Sequence, residues 1–367
     1  MLVRGQSDHM VQLLTPEGVR VEHDGFEFTG TTEDLVGYLK DMVLARRFDT
    51  EATALQRHGE LGLWPPVLGQ EASQVGSARA LMAEDVVFPT YREHAVAMCL
   101  GVPMSQILAL FRGCDAGDWE LLERFRNYQI IIGSQTLHAT GYAMGLQYDG
   151  MVGNENPDEN AMVVAYHGDG ASSQGDVNEA YVFAASYNAP VVFFCQNNQY
   201  AISEPMALQS RIPLFQRAQG FGFPGLQVDG NDVLAVHATS QWAFNRARQG
   251  EGPSFIEAFT YRMGAHTTSD DPSKYRRDAE TEEWRGRDPI ARLTTYLRSQ
   301  GAIDGAHMAS LDQEAKDYGA DIRASIAGLT DKTMDEQFRT VYAEESVALE
   351  EQRREYADYL ATFEEPS

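Results

Sequence analysis

The chain has 367 residues, of which 43% are hydrophobic and 23% are charged, and this balance is typical of a globular protein with a large core. The formal net charge is −25. Nucleic-acid binding needs Lys and Arg to neutralise phosphates, so this charge argues against a nucleic-acid partner.

Only three cysteines are present, Cys99, Cys114 and Cys195, and none forms a CxxC pair. A sparse, odd set argues against a disulfide framework or a zinc site and is typical of a reducing compartment. No apolar run approaches the roughly 18 residues of a spanning helix, and the N-terminal sequence lacks the apolar core of a signal peptide. We therefore expect a cytoplasmic protein with no membrane contact.

Residues 1–31 are polar and mixed, and we expect them to form an N-terminal arm. From Thr32, which the pattern predicts as an N-cap, apolar residues recur at helical spacing toward Leu55. Two further helices are predicted at residues 70–82 and 94–101. These helices lead into the central part of the chain.

The central part alternates between buried strands and helices. Strands are predicted at residues 161–167, 191–195 and 253–259, with one helix at 176–188 and another that is capped by Asn231 and stops at Gly250. Strands that alternate with helices of this length form βαβ units around a parallel sheet. We therefore predict an α/β fold, a parallel sheet flanked by helices, over residues 32–310.

After Pro289 the pattern is wholly helical, and it includes a long charged helix at residues 342–360. We assign residues 311–367 to a C-terminal helical tail. This tail leaves no room in the same chain for a second domain as large as the first, which argues against a complete enzyme of the transketolase kind.

Two predicted strands end in polar sequence. Gly168-Asp169-Gly170-Ala171 follows the first strand, and Gln196-Asn197-Asn198-Gln199-Tyr200 follows the second. The carboxyl ends of parallel strands meet at one sheet edge, where ligands bind, so we expect the two sequences to lie side by side. Gly-Asp-Gly alone is a common turn. However, glycines let the backbone approach a diphosphate closely, and Asp169 and Asn198 offer the hard oxygen ligands that Mg²⁺ prefers, so the pair predicts a metal–diphosphate site.

The order of these two sequences resembles the thiamine diphosphate motif, in which GDG is followed by NN after a βαβ crossover. Further segments extend the resemblance over nearly the whole chain, at residues 61–76, 88–93, 132–138, 228–232 and 261–272. Together they resemble the alpha subunit of the E1 component of pyruvate and branched-chain 2-oxo acid dehydrogenase complexes. The resemblance implies the thiamine diphosphate-binding fold, with thiamine diphosphate and Mg²⁺ as cofactors and, in some members, K⁺.

The resemblance also assigns site residues. Tyr91 and Arg92 would bind the diphosphate, and Ser134 and Gln135 match a potassium site. The residues expected at the cofactor are Tyr91, Arg92, Ile132, Ser134, Gly168, Asp169, Gly170, Ala171, Asn198, Tyr200 and His266, and those expected at the metal are Asp169, Asn198 and Tyr200. His266 would be the catalytic residue, stabilising or protonating an oxyanion or thiolate, which suits an imidazole near neutral pH.

Three positions depart from the family pattern. Gln196 stands where branched-chain members often have Arg, so one diphosphate contact is expected to be weaker or water-mediated. Gln174 stands where many members have Glu. Thr267 stands where regulated members carry a phosphorylated serine, which argues against kinase control.

The resemblance implies an oxidoreductase with a disulfide acceptor. With a beta subunit, it would decarboxylate a small 2-oxo acid and pass the acyl group to the lipoyl group of an E2 acyltransferase. The activating glutamate of the family belongs to the beta subunit, so we expect an α₂β₂ heterotetramer. The sequence does not distinguish pyruvate from a branched-chain 2-oxo acid as the substrate. An acetoin dehydrogenase alpha subunit and a non-catalytic α/β binding protein are the alternatives.

Residues 262–277 form a polar loop, which we expect to be mobile until the cofactor binds, since its composition leaves little to bury. Arg262 lies at the start of this loop. It is interpreted either as an anchor for a substrate carboxylate or as an ion-pair partner of Asp270 or Asp271, and the sequence does not separate the two.

Overall fold

The structure is a computed structural model that describes residues 6–114, 124–128, 130–330, 333–339 and 341–363. Residues 1–5, with which the predicted N-terminal arm begins, lie outside these ranges. The strands are β1 (Val86–Phe88), β2 (Val163–Gly168), β3 (Val191–Asn197), β4 (Tyr200–Ala201), β5 (Glu204–Pro205), β6 (Gly225–Asp229) and β7 (Ser254–Phe259).

Helices precede, connect and follow these strands. They are α1 (Thr32–Arg57), α2 (Glu71–Ala78), α3 (His94–Cys99), α4 (Met104–Arg112), α5 (Ser134–Tyr148), α6 (Gly175–Tyr187), α7 (Met206–Gln209), α8 (Gln216–Phe221), α9 (Val233–Arg248), α10 (Asp278–Arg285), α11 (Pro289–Ser299), α12 (Gly305–Ile326), α13 (Met334–Arg339) and α14 (Val347–Ala361). The predicted α/β class is confirmed.

Five strands form one parallel sheet in the order β1-β2-β3-β7-β6. In its register, Gly168 at the end of β2 pairs with Gln196 near the end of β3. The GDG and NN sequences therefore leave the sheet next to each other, as expected from the βαβ spacing. The same edge also receives the end of β7, where Phe259 pairs with Asn197.

Both faces of the sheet are covered, because alternate strand residues enter different cores. On β3, Val192 and Phe194 belong to the core shared with α1, α2, α4 and α9. Val191, Phe193 and Cys195 belong to the core shared with α5 and α6. A sheet held from both sides gives the carboxyl ends of its strands a rigid base.

Two predicted helix caps are each wrong by one residue. Thr31, not Thr32, caps α1, since Thr31 and Asp34 form a reciprocal capping box. Asp232, not Asn231, caps α9, and its carboxylate accepts from the amides of Leu234 and Ala235. In both cases the cap is the residue whose side-chain oxygen can accept a hydrogen bond from a backbone amide in the first turn of the helix.

Several element boundaries also differ from the sequence pattern. Helix α2 ends at Ala78, before the predicted residue 82, and α14 begins at Val347, after the predicted residue 342. Strands β1 and β6 were not predicted. Each is short and lies at an edge of the sheet, so each carries a weaker apolar signal than the central strands.

The described part after Pro289 is helical, as predicted. Helix α12 spans the boundary that the sequence pattern places at residue 310, and its Leu311 and Ile322 belong to the same core as α1. The division into arm, α/β domain and tail stays a prediction. Among the described helices, none is both long enough and apolar enough to cross a membrane.

Candidate active site at the strand ends

A cavity of about 240 Å³ opens at the carboxyl ends of β2 and β3, and we call it the strand-edge cavity. Its lining includes ten of the residues expected at the cofactor: Tyr91, Arg92, Ile132, Gly168, Asp169, Gly170, Ala171, Asn198, Tyr200 and His266. Ser134 is the exception, since its hydroxyl donates to the carbonyl of Ile131 at 3.0 Å and the residue does not line the cavity. The neighbouring Gln135 does line it.

The turn after β3 has an unusual backbone. Gln199 and Ile202 both have positive φ angles, 76° and 58°, which are strained for residues with a side chain. Gly170 lies against this turn, where a Cβ atom would come within 2.7 Å of the Cβ of Ala201. The second glycine of the GDG sequence is therefore needed for close approach of the two loops.

Buried polar residues form hydrogen bonds that stabilise this turn. Asn197 accepts from the amide of Gln199 at 3.2 Å and donates to the carboxylate of Glu257 at 2.6 Å. Burial raises the pKa of Glu257 to about 7. The first asparagine of the NN pair thus fixes the turn, while the second, Asn198, lines the strand-edge cavity.

Asp169, Asn198 and Tyr200 each direct an oxygen towards a hydrogen-bond donor. Asp169 is almost fully buried, burial raises its pKa, and it accepts from Gln209 at 2.8 Å. Arg262 Nη1 donates to the carbonyl oxygen of Tyr200 at 2.9 Å and to Asn198 Oδ1 at 3.3 Å. One cationic group therefore reaches two of the three oxygens expected to bind the metal.

The donor set fits Mg²⁺ better than it fits a transition metal. In the ranges that the structure describes, no three His, Cys, Asp or Glu side chains cluster as metal ligands. Mg²⁺ is commonly bound by one or two carboxylates together with substrate phosphates, so Asp169 with two neutral oxygens is a sufficient protein contribution.

Arg92 links the wall of the cavity to the loop that carries His266. The guanidinium is buried, donates to the carbonyl of Pro66 at 2.5 Å and lies 5.5 Å from the ring centre of Tyr91. Its Nη2 donates to the carbonyl of His266 at 2.9 Å and lies 3.3 Å from His266 Nδ1.

His266 is neutral in this environment. Burial, followed by the positive charges of Arg92 and Arg262, lowers the pKa of His266 to about 3. Since Arg92 donates, Nδ1 must be the acceptor, and the ring proton lies on Nε2. The imidazole can therefore donate a hydrogen bond from Nε2 without carrying a charge.

The loop that follows Arg262 is held by its own side chains. Arg276 donates to the carbonyls of Arg262, Met263 and Gly264, at 2.5, 2.9 and 3.1 Å. Asp270 accepts from the amide of His266 at 2.8 Å. These contacts hold the segment in the conformation seen here, and both its mobility without the cofactor and its cofactor-linked ordering stay predictions.

Arg262 does not form the ion pair with Asp270 or Asp271 that one interpretation of the sequence expects, whereas its role as an anchor for a substrate carboxylate stays a prediction. It is 1% exposed, and its guanidinium donates to Asn198, to Tyr200 and to the carbonyl of Ile202 at 2.8 Å, not to Asp270 or Asp271. The sequence does not reveal this contact, because the strand β7 brings Arg262 beside a turn that lies far away in the chain.

Gln196 has a partner at each end of its amide. It donates to the buried carboxylate of Glu93 at 2.6 Å and accepts from Gln74 at 3.1 Å. Glu93 also accepts from the amide of Thr90, and burial raises the pKa of Glu93. Neither Gln70 nor Glu93 was singled out from the sequence, although both fall in segments that resemble the family and both line the cavity.

Three polar atoms in the wall of the cavity have no hydrogen-bond partner among the described residues: Gln70 Nε2, Gln135 Oε1 and Arg262 Nε. Buried polar atoms of this kind are unusual in proteins and mark a place where a polar ligand fits. A parallel sheet with such a cavity at its carboxyl edge places the chain among the α/β proteins, the class in which ligands bind at the strand ends.

Comparison with known proteins identifies the family within this class. Residues 39–334 match the model of the dehydrogenase E1 component family. The chain is 42% identical over 353 residues to the 3-methyl-2-oxobutanoate dehydrogenase subunit alpha of Mycobacterium tuberculosis, which covers 96% of this chain and 94% of that protein. It is 40% identical over 321 residues to the pyruvate dehydrogenase E1 component subunit alpha of Staphylococcus aureus, covering 86% and 83%.

The chain belongs to the dehydrogenase E1 component family. It is accordingly an oxidoreductase of the 2-oxo acid dehydrogenase E1 type, related to alpha subunits. The family implies thiamine diphosphate as the cofactor, and alpha subunits of these complexes work with a beta subunit and an E2 component. The recognition made from motifs is confirmed, and the comparisons give no support to the two alternatives.

Proposed function

We propose that this chain binds thiamine diphosphate with Mg²⁺ in the strand-edge cavity and acts, with a beta subunit, in the oxidative decarboxylation of pyruvate or a branched-chain 2-oxo acid. The observation that carries the proposal is the convergence of Arg92, His266 and the oxygens of Asp169, Asn198 and Tyr200 on one cavity. The two relatives are 42% and 40% identical to the chain, which is too small a difference to choose between their substrates.

Each residue has a distinct role in this proposal. Arg92 and Tyr91 bind the diphosphate, since a buried guanidinium forms strong charge-assisted hydrogen bonds to phosphate. Asp169, Asn198 and the carbonyl of Tyr200 bind Mg²⁺. When bound, thiamine diphosphate supplies the nucleophilic carbon that allows a 2-oxo acid to lose CO₂. His266 donates a hydrogen bond from Nε2 to oxygen or sulfur at the reacting centre.

The proposal also includes a potassium site at the start of α5. Gln135 Oε1 is buried and has no hydrogen-bond partner among the described residues, which supports it as a potassium ligand. Ser134, which precedes Gln135 at the start of α5, is the second residue that the resemblance assigns to potassium.

The beta subunit is proposed to cover the mouth of the cavity. Ile130, Ile131 and Ile202 are 68%, 74% and 56% exposed, and Ile132 and Ile202 line the cavity itself. Exposed apolar side chains grouped around a polar site are typical of a surface that binds another protein. We propose an α₂β₂ assembly that passes its acyl group to a lipoyl-bearing E2 component.

The cytoplasm is the proposed location. All three cysteines, Cys99, Cys114 and Cys195, are free thiols, as expected in a reducing compartment.

Calorimetric titration tests the proposed cofactor. Thiamine diphosphate is titrated into the complex of this chain with its cognate beta subunit, in the presence of Mg²⁺ and again after chelation of Mg²⁺. We expect saturable binding that needs the metal. No binding in the presence of both the metal and the beta subunit would overturn the proposed function.

A further inference from the structure

Side-chain donors occupy all three of the groups proposed to bind Mg²⁺. Arg262 Nη1 donates to Tyr200 O and Asn198 Oδ1, at 2.9 and 3.3 Å, and Gln209 Nε2 donates to Asp169 Oδ2 at 2.8 Å. Each N–H bond uses one of the two lone pairs of its oxygen, and Arg262 also places a positive charge beside the oxygens that it contacts. The proposed ion must therefore share these oxygens with the donors, and the guanidinium repels it.

Arg262 is an unusual cation to find at this place. It is 1% exposed, and in the described part of the chain its guanidinium forms no salt bridge, although the charge of Asp169 attracts it. Burial and the charge of Arg92 lower the pKa of Arg262, so the surroundings disfavour its charge. A buried guanidinium without a carboxylate partner depends on the oxygens that it contacts, and these are mainly the oxygens of the turn after β3.

The turn depends on Arg262 in return. Its carbonyls at Tyr200 and Ile202 both accept from the guanidinium, and Ile202 and Gln199 have strained positive φ angles. A strained turn persists only where its surroundings hold it. A metal ion that binds Tyr200 O and Asn198 Oδ1 would hold these two groups of the turn as the guanidinium does.

We propose that Arg262 is a positioning residue that competes with the metal for Asn198 Oδ1 and Tyr200 O and holds the ligand turn in shape when the metal dissociates. Gln209 does the same for the carboxylate of Asp169. This inference rests on the proposed function, since it needs a metal at these oxygens. Two consequences follow: the competition lowers the affinity for the metal, and it keeps the site shaped for rebinding.

The test measures Mn²⁺ binding and thermal stability in the complex of this chain with its beta subunit, with thiamine diphosphate present. Free Mn²⁺ is counted by electron paramagnetic resonance, a readout that does not depend on activity. Arg262→Met should bind Mn²⁺ about tenfold more tightly than the parent, the effect of removing one competing charged hydrogen bond. Without Mn²⁺, its Tm should be lower by about 3–6 °C, and Mn²⁺ should restore most of that loss.

Arg217→Met is the matched control. Arg217 also donates to a loop at this sheet edge, to the carbonyl of Ser172 at 2.8 Å and to Asn178 at 2.6 Å, but it contacts none of the proposed metal ligands. This variant should lose stability while its Mn²⁺ affinity stays within about twofold of the parent. An equal gain in affinity in both variants would mean that any lost positive charge strengthens binding, which would overturn the role of Arg262.

The outcomes separate this inference from the proposed function. If the parent complex binds no Mn²⁺, the proposed metal site fails and the competition fails with it. If the parent binds Mn²⁺ and Arg262→Met binds it equally or less well, only the competition is overturned. Should Arg262→Met not fold, Gln209→Leu gives the same test at Asp169, where a gain of a few-fold is expected and an unchanged or weaker affinity would overturn the inference.

Discussion

Arg92 Nη2 donates to the backbone carbonyl of His266 at 2.9 Å and lies 3.3 Å from Nδ1 of the same residue. The residue proposed to bind the diphosphate is thus also the residue that orients the proposed catalytic imidazole. Arg92 and His266 are 174 positions apart, so the sequence assigns their two functions to separate segments. In the fold, this contact joins the two functions. Cofactor binding and the position of His266 should therefore be coupled.

Arg92→Ala should weaken thiamine diphosphate binding, and Arg92→Lys should restore it only partly. A guanidinium can bind a phosphate with two hydrogen bonds while it also donates to Pro66 and His266, whereas an ammonium cannot match this geometry. Calorimetric titration of the α–β complex measures the dissociation constants. A lysine variant that binds like the parent would show that Arg92 is not a bidentate phosphate ligand.

Asp169→Ala and Asn198→Ala should each raise the dissociation constant for thiamine diphosphate with Mg²⁺ by about tenfold or more, since each removes one of few protein ligands to the metal. The matched control is Asp176→Ala, an exposed acidic residue in the first turn of α6. This control should bind like the parent. Unchanged affinity in both site variants would mean that the GDG and NN sequences are only turns.

His266→Ala should leave cofactor binding nearly intact, because Arg92 also donates to the backbone carbonyl of residue 266, which the substitution keeps. Acyl transfer to a lipoyl domain should instead slow by about 10²–10⁴-fold, the usual worth of a positioned acid–base group. Decarboxylation with an artificial electron acceptor should suffer less, since only acyl transfer must manage a lipoyl thiolate. A loss below about threefold in both assays would make the histidine a bystander.

As the pH is lowered, the free energy of unfolding should decrease more steeply in the parent than in His266→Gln. The pKa of His266 is about 3 in the folded chain, against an ordinary value of 6.5. As the pH falls from about 6.5 towards 3, the unfolded chain binds a proton that the folded chain excludes, so this contribution to stability is lost in that window. Thermal unfolding of both proteins between about pH 7 and pH 4 measures the difference. Parallel Tm curves would contradict the low pKa.

Much of the fold and of the site can be predicted from sequence, for a definite physical reason. Buried parallel strands give continuous apolar runs, so β2, β3 and β7 are visible, and the polar residues after them must meet at one edge. Edge strands such as β1 and β6 give a weaker signal. The caps of α1 and α9 depend on which side chain reaches a backbone amide, and this differs between adjacent residues.

Contacts between segments that are distant in the chain cannot be predicted from the sequence. Arg262 meets the turn at Tyr200 because the sheet order places the ends of β3 and β7 together. Arg92 follows β1 at the same edge of the sheet, and there it meets His266 on the loop after β7. The mobility predicted for the loop from Arg262 was inferred from composition, which does not reveal that Arg276 binds three of its carbonyls. The sequence likewise does not supply the hydrogen bond from the Ser134 hydroxyl to the turn before α5.

The most direct measurement is the oxidative decarboxylation of pyruvate and of 3-methyl-2-oxobutanoate by this chain, first alone and then with its cognate beta subunit. Thiamine diphosphate and Mg²⁺ are present in both assays, and the Asp169→Ala chain with the beta subunit serves as the control. We expect no turnover by the chain alone, turnover of at least one of the two acids when the beta subunit is added, and loss of that turnover in the control. Robust turnover by the purified chain alone, or none of either acid with the beta subunit present, would contradict the assignment of this chain as one half of a 2-oxo acid dehydrogenase active site.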